Sequence, residues 1–124
     1  MKKVIFTEQA PAALGPYSQA IEANGMVFAS GQIGVNPATG EAPEGVEAQA
    51  EQALTNLKAV LEAAGTSLEN VVKTTVFLQS MDDFAAINAI YAKYFQSECP
   101  ARSCVAVAKL PKGLLFEVEA IAVK

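Results

Sequence analysis

One arginine and two glutamates are the residues of this chain most able to carry chemistry, because the strands that hold them are otherwise apolar. Arg102 begins a run up to Ala108 that is typical of a buried strand, and Glu117 and Glu119 belong to the next strand along the chain. A guanidinium stays protonated, and its burial without a partner is costly, so Arg102 needs an anion nearby. Two alternatives are open: a structural ion pair with Glu117 or Glu119, or a planar fork that binds the carboxylate or phosphate of a ligand.

The absence of histidine from the chain narrows the chemistry further. It excludes Ser-His and Cys-His nucleophilic pairs, histidine acid–base catalysis and histidine-ligated zinc. Two separated cysteines and scattered carboxylates do not form a metal site, so we predict neither a metal nor another cofactor. Any catalysis must then use carboxylate, arginine, tyrosine, thiol, hydroxyl and backbone groups together with water.

Length and composition predict one globular domain over residues 1–124. Hydrophobic residues make up 52% of the 124, enough to bury a core. The net charge of −4 disfavours a nucleic-acid partner, which needs a basic surface. No apolar run approaches the roughly 18 residues of a membrane span, and the apolar N-terminal segment is too short for a signal peptide. We therefore expect a cytoplasmic protein with no membrane partner.

The two cysteines, Cys99 and Cys104, are expected to be free thiols. Five residues of extended chain separate them by roughly 16 Å, at about 3.3 Å per residue, and the odd spacing directs them to opposite faces. A disulfide cannot bridge that distance. Reduced thiols agree with a cytoplasmic location.

The pattern of apolar and turn residues predicts the element order β-β-β-α-β-α-β-β. Asn24-Gly25 predicts a hairpin between two early strands. Apolar residues at three- or four-residue spacing predict helices over 44–64 and from Ser80 to about Gln96. Runs rich in valine, threonine and phenylalanine predict later strands at 71–78, 102–108 and 116–123.

Two helices can cover only one face of the predicted sheet. Connections through helices imply parallel, right-handed crossovers. Strand 71–78 is apolar on both faces, and Val72, Thr74, Val76 and Leu78 are predicted to share one of them. We therefore predict that another subunit covers the second face and that ligand clefts lie at subunit boundaries.

Six segments of the chain resemble the RidA (YjgF, or L-PSP) family, and the resemblance covers essentially all 124 residues in order. They are Gly15–Ala20, Ser30–Ile33, Lys73–Leu78, Asn88, Pro100–Val105 and Glu117–Ala122. The Arg-Ser-Cys element followed by a Glu-x-Glu-Ala strand resembles the deaminase subgroup. The resemblance implies a chorismate-mutase-like α+β fold, assembled as a homotrimer with a central barrel and three clefts between subunits. It also implies cofactor-free hydrolysis of reactive 2-imino and enamine acids, such as 2-iminobutanoate and 2-iminopropanoate, to 2-keto acids and ammonia.

The same resemblance implies a role for each candidate site residue. Arg102 would hold the carboxylate of the imino acid, and Glu117 would activate water, with Glu119 as the competing candidate. Cys104 lies on the same side of the strand as Arg102 and would line the pocket, because no histidine is present to make it a nucleophile. The remaining residues implied to bind substrate are Tyr17, Ser30, Gly31 and Asn88.

Three other functions compete with imine hydrolysis. A trimer that binds 2-keto or amino acids without turnover would use the same arginine. A ribonuclease, an activity also associated with the family, is opposed by the acidic charge and the missing histidine. A holdase-like role has no disordered or sticky segment to support it.

Overall fold

The computed structural model describes residues 1–124 and contains six strands and two helices in the predicted order. The elements are β1 (Lys3–Ile5), β2 (Ala20–Ala23), β3 (Met26–Ile33), α1 (Val46–Ala63), β4 (Val71–Leu78), α2 (Phe84–Tyr94), β5 (Ala101–Ala106) and β6 (Phe116–Val123). Helix α1 begins two residues later than predicted because Gly45, at φ 93° and ψ 148°, lies outside helical geometry. Helix α2 begins after a single 3₁₀ turn over Met81–Asp83.

The six strands form one sheet in the order β1-β2-β3-β6-β4-β5. All neighbouring strands are antiparallel except β4 and β5, which are parallel and joined through α2. Asn24 and Gly25 form the predicted hairpin between β2 and β3, with φ values of 52° and 72°. Because β6 lies between β3 and β4, residues near the end of the chain lie at the centre of the sheet.

Both helices pack on the same face of the sheet, as predicted, and the core lies between the two layers. Helix α1 contacts β3, β6 and α2, and its predicted apolar stripe is buried from Ala50 to Ala64. Two buried amides of α1 were not predicted. Asn56 Nδ2 donates to the carbonyl oxygens of Ile33 and Val35, while Gln49 Oε1 accepts from the backbone N–H of Leu115. These amides attach α1 to the ends of β3 and β6, the two central strands that carry candidate site residues.

The opposite face of the sheet, which we call the open face, has no helix over it within the chain. Five large apolar side chains on this face are more than 40% exposed: Val4, Phe28, Val72, Val105 and Val123. The prediction that Val72 shares a face with Thr74, Val76 and Leu78 is wrong. The register of β4 against β6 shifts between Val71 and Lys73, so Val71 is buried while Val72 is exposed.

Neither helix combines the length and the apolarity that a bilayer crossing requires.

Candidate functional site

Arg102 lies on the helix-covered face of β5 and has no carboxylate partner. It pairs in register with Thr74 of β4, and its guanidinium forms one hydrogen bond, from NH1 to Asn88 Oδ1 at 2.8 Å. The two salt bridges of the chain are Lys93–Glu51 and Lys124–Glu22. The structural ion pair with Glu117 or Glu119, one of the two alternatives drawn from the sequence, is therefore not formed. The guanidinium fork stays available for an anion from outside the chain.

Three residues of α2 hold the guanidinium of Arg102. Its Cζ lies 4.8 Å from the centre of the Tyr91 ring and 5.5 Å from the centre of the Phe84 ring, within cation–π range. Phe84, Asn88 and Tyr91 are spaced i, i+4 and i+7, so they share one face of the helix. The sequence places the two aromatic residues at helical spacing but does not reveal this contact. Their spacing with Asn88 was the available signal.

Cys104 lies on the same face of β5 as Arg102, as predicted, and packs against the core. Burial raises the pKa of its thiol above the ordinary value, and the nearby Arg102 cation offsets this only in part. A thiol with a raised pKa is a poor nucleophile near neutral pH. This agrees with the prediction that Cys104 lines a site without attacking the substrate. Both Cys104 and Cys99 are free.

Glu117 lies on the open face of β6, directly against Gly31 of β3. A Cβ built on Gly31 would overlap Oε2 of Glu117 and would lie 2.8 Å from its Cδ, so only glycine leaves room for this carboxylate. Burial raises the pKa of Glu117 above the ordinary glutamate value, and the Glu119 carboxylate raises it further. Glu119 shares the face but is exposed. The burial and the close packing distinguish Glu117 from its neighbour.

Ser30 and Gly31 form a bulge in β3. The pairing with β6 shifts between Ala29 and Gln32, so both residues stand opposite Glu119. Ser30 Oγ donates to the carbonyl oxygen of Ser18 at 2.6 Å, which ties the bulge to the loop before β2. The bulge thus brings the backbone of Gly31 close to Glu117.

Tyr17 belongs to the loop before β2, not to a strand, and its side chain is 52% exposed. Its hydroxyl accepts a hydrogen bond from the backbone N–H of Leu14 at 3.2 Å. Tyr17 and Gly31 both line a small cavity of about 200 Å³ whose other walls include Leu14, Ile33 and Val35. Tyr17 and Gly31 therefore face the same partly apolar cavity.

The candidate residues form two clusters on opposite faces of the sheet. We call them the arginine cluster (Arg102, Asn88 and Cys104, with Phe84 and Tyr91) and the glutamate cluster (Glu117, Gly31, Ser30 and Tyr17). Arg102 pairs with Thr74, whereas Glu117 pairs with Phe77, three residues further along β4 and on its other side. Within one chain, Arg102 and Glu117 therefore cannot contact the same small molecule.

A surface depression of about 780 Å³ contains none of the predicted site residues. It lies between the end of α1 and the loop after α2, and its charged lining mixes two lysines with three glutamates: Lys58, Lys93, Glu62, Glu69 and Glu98. Lys93 is already paired with Glu51. Because positive and negative side chains are mixed, the lining favours neither an anionic nor a cationic ligand, and we do not regard this depression as the functional site. No three histidine, cysteine, aspartate or glutamate side chains cluster closely enough to hold a metal ion.

Comparison with known proteins identifies the family. The family model described as endoribonuclease L-PSP matches residues 7–124. The 2-iminobutanoate/2-iminopropanoate deaminase of Escherichia coli K12 is 54% identical over 127 residues, which cover 100% of this chain and 99% of that protein. The crystal structure of E. coli TdcF with bound serine has a TM-score of 0.95 at 50% identity and covers 98% of both chains.

A further solved structure agrees with these matches. RidA from the Antarctic bacterium Psychrobacter sp. has a TM-score of 0.96 at 47% identity, covering 98% of this chain and 99% of that one. These structures confirm the predicted chorismate-mutase-like α+β fold. Because the family model spans nearly the whole chain and full-length relatives share about half of its residues, the chain belongs to the endoribonuclease L-PSP family, also called the RidA or YjgF family.

Proposed function

We propose that the chain is a cofactor-independent hydrolase that deaminates reactive 2-imino acids and their enamine tautomers to 2-keto acids and ammonia. The observation that carries the proposal is the guanidinium of Arg102, which has one hydrogen bond to Asn88 and no carboxylate partner. Such a planar cation can bind a ligand carboxylate through two parallel N–H···O bonds. The 54% identity to an E. coli 2-iminobutanoate/2-iminopropanoate deaminase supports the same substrate class.

Arg102 would act by fixing the carboxylate that every 2-imino acid carries beside its reactive C2 carbon. Two bonds to one rigid fork set both the position and the orientation of C2, which removes much of the entropic cost of the reaction. Cys104 follows Arg102 at the next position on the same face of β5, so its thiol and adjoining backbone would border the bound acid. Asn88 keeps the guanidinium in place from α2.

Glu117 would transfer the protons of the reaction. Its carboxylate takes a proton from a water molecule as the oxygen attacks C2 and the C=N bond becomes a C–N bond. It then returns that proton to the nitrogen, which leaves a hydroxyl and an amino group on C2. In a second transfer Glu117 takes the proton of that hydroxyl and passes it to the amino group, so that the C–N bond breaks, ammonia leaves and a keto group remains at C2. The raised pKa of Glu117 suits these transfers, because it shifts the carboxyl towards neutral pH, where one group can accept a proton and give it back.

We propose that a second copy of the chain completes the site. The arginine and glutamate clusters occupy opposite faces of the sheet, and the open face exposes apolar side chains such as Phe28 and Val105 that a neighbouring copy would bury. The complete site would then combine Arg102, Asn88 and Cys104 of one copy with Glu117, Tyr17, Ser30 and Gly31 of the next. We expect a homotrimer, as the family resemblance implies. The free thiols support a cytoplasmic location.

A second candidate is a trimer that binds amino or 2-keto acids without turnover. The serine bound to E. coli TdcF, a relative at 50% identity, supports this alternative. The arginine cluster would serve it equally well, but the desolvated Glu117 against Gly31 would then have no task. RNA cleavage, which the family description names, is opposed by the charge of −4 and the lack of histidine.

The experiment that tests the proposal is a coupled assay with a threonine dehydratase, in which semicarbazide traps the imine in competition with hydrolysis. We expect wild-type protein to raise the yield of 2-oxobutanoate at the expense of the trapped imine. The variants Arg102→Ala and Glu117→Gln are expected to lose this effect while keeping the oligomeric state. If wild-type protein leaves trapping unchanged but binds 2-oxobutanoate, the binding-module alternative replaces hydrolysis.

A further inference from the structure

The aromatic face of α2 presents an unusual environment for an arginine. A partly buried guanidinium is commonly neutralised by a carboxylate, yet Arg102 is held by the rings of Tyr91 and Phe84 at 4.8 Å and 5.5 Å. A carboxylate would occupy the N–H edges that a ligand needs. Aromatic rings attract the flat face of the cation and leave those edges free.

Two contacts fix the Tyr91 ring in place. Its hydroxyl shares a hydrogen bond of 2.7 Å with the buried Thr74 Oγ1, and its ring packs against Phe95 with centroids 4.6 Å apart. The side chain is 7% exposed. Because Thr74 is the register partner of Arg102 on the adjacent strand, the ring is anchored beside the residue whose cation it faces. A guanidinium packed on such a ring loses most of its rotational freedom before any ligand arrives.

We infer that Tyr91, assisted by Phe84, is a positioning residue that fixes the plane of the Arg102 guanidinium for carboxylate binding. The inference rests on the proposed function and adds the device that holds the arginine ready without neutralising it. Since the ordering of Arg102 is completed in the free protein, the ligand does not bear that entropic cost. The ring of Tyr91 carries this role, and its hydroxyl serves only as the anchor to Thr74.

The test is the affinity for 2-oxobutanoate, the keto-acid product of the proposed reaction, measured by titration calorimetry on the intact oligomer. We expect Tyr91→Leu to weaken binding about tenfold, within the range of a desolvated cation–π contact. The same change is expected in KM for the imine, with a smaller effect on kcat. Tyr91→Phe keeps the ring and should restore binding to within about twofold, although it leaves Thr74 without its partner and lowers the melting temperature.

Two further variants separate positioning from general stability. Phe84→Leu removes the more exposed ring, so it tests the inference even if Tyr91→Leu fails to fold. Tyr94→Leu is the matched control, because Tyr94 lies three residues beyond Tyr91 but bonds Glu51 of α1, away from the guanidinium. We expect Phe84→Leu to weaken binding about threefold and Tyr94→Leu to leave binding unchanged.

A double-mutant cycle decides the outcome. In an Arg102→Ala background, replacing Tyr91 or Phe84 should cost no further affinity or activity, because the ring then has no cation to hold. The inference is overturned, while the proposed function stands, if Tyr91→Leu and Phe84→Leu both leave the affinity unchanged. It is also overturned if these substitutions weaken binding as much in the Arg102→Ala background as they do in wild type. If wild-type protein neither binds 2-oxobutanoate nor hydrolyses imines, the proposed function fails and the inference fails with it.

Discussion

Replacement of Gly31 by alanine is expected to disable Glu117 without disturbing the fold. The new Cβ would overlap Oε2 of Glu117 and would lie 2.8 Å from its Cδ and 3.2 Å from its Cγ. Cδ must therefore retreat by about 0.7 Å to reach the ~3.5 Å of a comfortable carbon–carbon contact. The obstacle is a flexible side chain and not backbone, so we expect the free energy of unfolding to change by less than about 1 kcal/mol.

The same displacement has a large effect on catalysis, because the carboxylate must contact the attacking water. A misplacement of about 1 Å can cost about a hundredfold in rate, so we expect kcat for imine hydrolysis to fall between about tenfold and a hundredfold. The semicarbazide competition assay measures the rate, and thermal unfolding measures the stability of the same sample. Gly15→Ala is the control, since a Cβ there meets only the Tyr17 ring, at 3.9 Å.

The alanine must act through Glu117 if the reasoning is correct. In a Glu117→Gln background, Gly31→Ala should then cost little further activity, because the group that it displaces no longer transfers protons. A wild-type rate in the single variant would refute the reasoning. The reasoning would also be refuted if Gly31→Ala lowered the rate as much in the Glu117→Gln background as it does in wild type, since the alanine would then act on something other than the carboxylate.

Three other predictions concern the proposed site. Arg102→Lys keeps the charge but loses the planar fork, so kcat/KM should fall roughly 10- to 150-fold, as expected for one charge-assisted hydrogen bond of about 1.5–3 kcal/mol; unfolding of the variant instead would indicate a structural role. Folding raises the pKa of Glu117, so this group stabilises the folded protein fully only at a pH below its pKa in the unfolded chain. That stabilisation is lost as the pH rises through its pKa in the folded protein. Glu117→Gln should therefore have a higher melting temperature than wild type near neutral pH, and the difference in melting temperature should shrink as the pH is lowered. A difference that does not change with pH contradicts this. Cys104→Ser should lose less than about tenfold in activity, whereas a nucleophilic cysteine would lose nearly all of it.

The order of the elements was predictable because strong local signals mark their boundaries. Asn24 and Gly25 adopt the left-handed geometry that a tight hairpin requires, and Gly65 takes the same geometry just after α1, as is common at the ends of helices. Local signals failed where tertiary pairing decides the outcome. Strict alternation predicts that Val72 shares a face with Thr74, Val76 and Leu78, but a register shift against β6 turns it outward. The helical spacing of α1 does not reveal that the buried Asn56 donates hydrogen bonds to the carbonyl oxygens of Ile33 and Val35.

The candidate site residues come from the family motifs, which do not predict how the structure arranges them. Alternation along one strand correctly put Arg102 and Cys104 on one side of β5, and Glu117 and Glu119 on one side of β6. It cannot relate the face of one strand to the face of another, because that relation depends on the register with β4, which lies between them. The ion pair considered from the sequence was therefore geometrically impossible within one chain.

The contacts of Arg102 illustrate the same limit of local patterns. Phe84 and Tyr91 have the spacing of an ordinary core stripe, and only their position over β4 and β5 makes them partners of a cation. A helix that covers apolar strands needs apolar side chains, aromatic ones among them, whether or not an arginine lies beneath it. The chemical role of these rings therefore emerges from the packing of the helix on the sheet.

The central claim is that Arg102 of one copy and Glu117 of another act on the same substrate. The most direct test is complementation: Arg102→Ala and Glu117→Gln chains carrying different affinity tags are coexpressed, and oligomers that contain both chains are isolated. In any mixed cyclic trimer, one boundary joins an intact Arg102 to an intact Glu117, so about one third of the wild-type imine hydrolysis should return. If the mixed oligomers are no more active than either parent, the two residues do not act across a boundary between copies and the account is wrong.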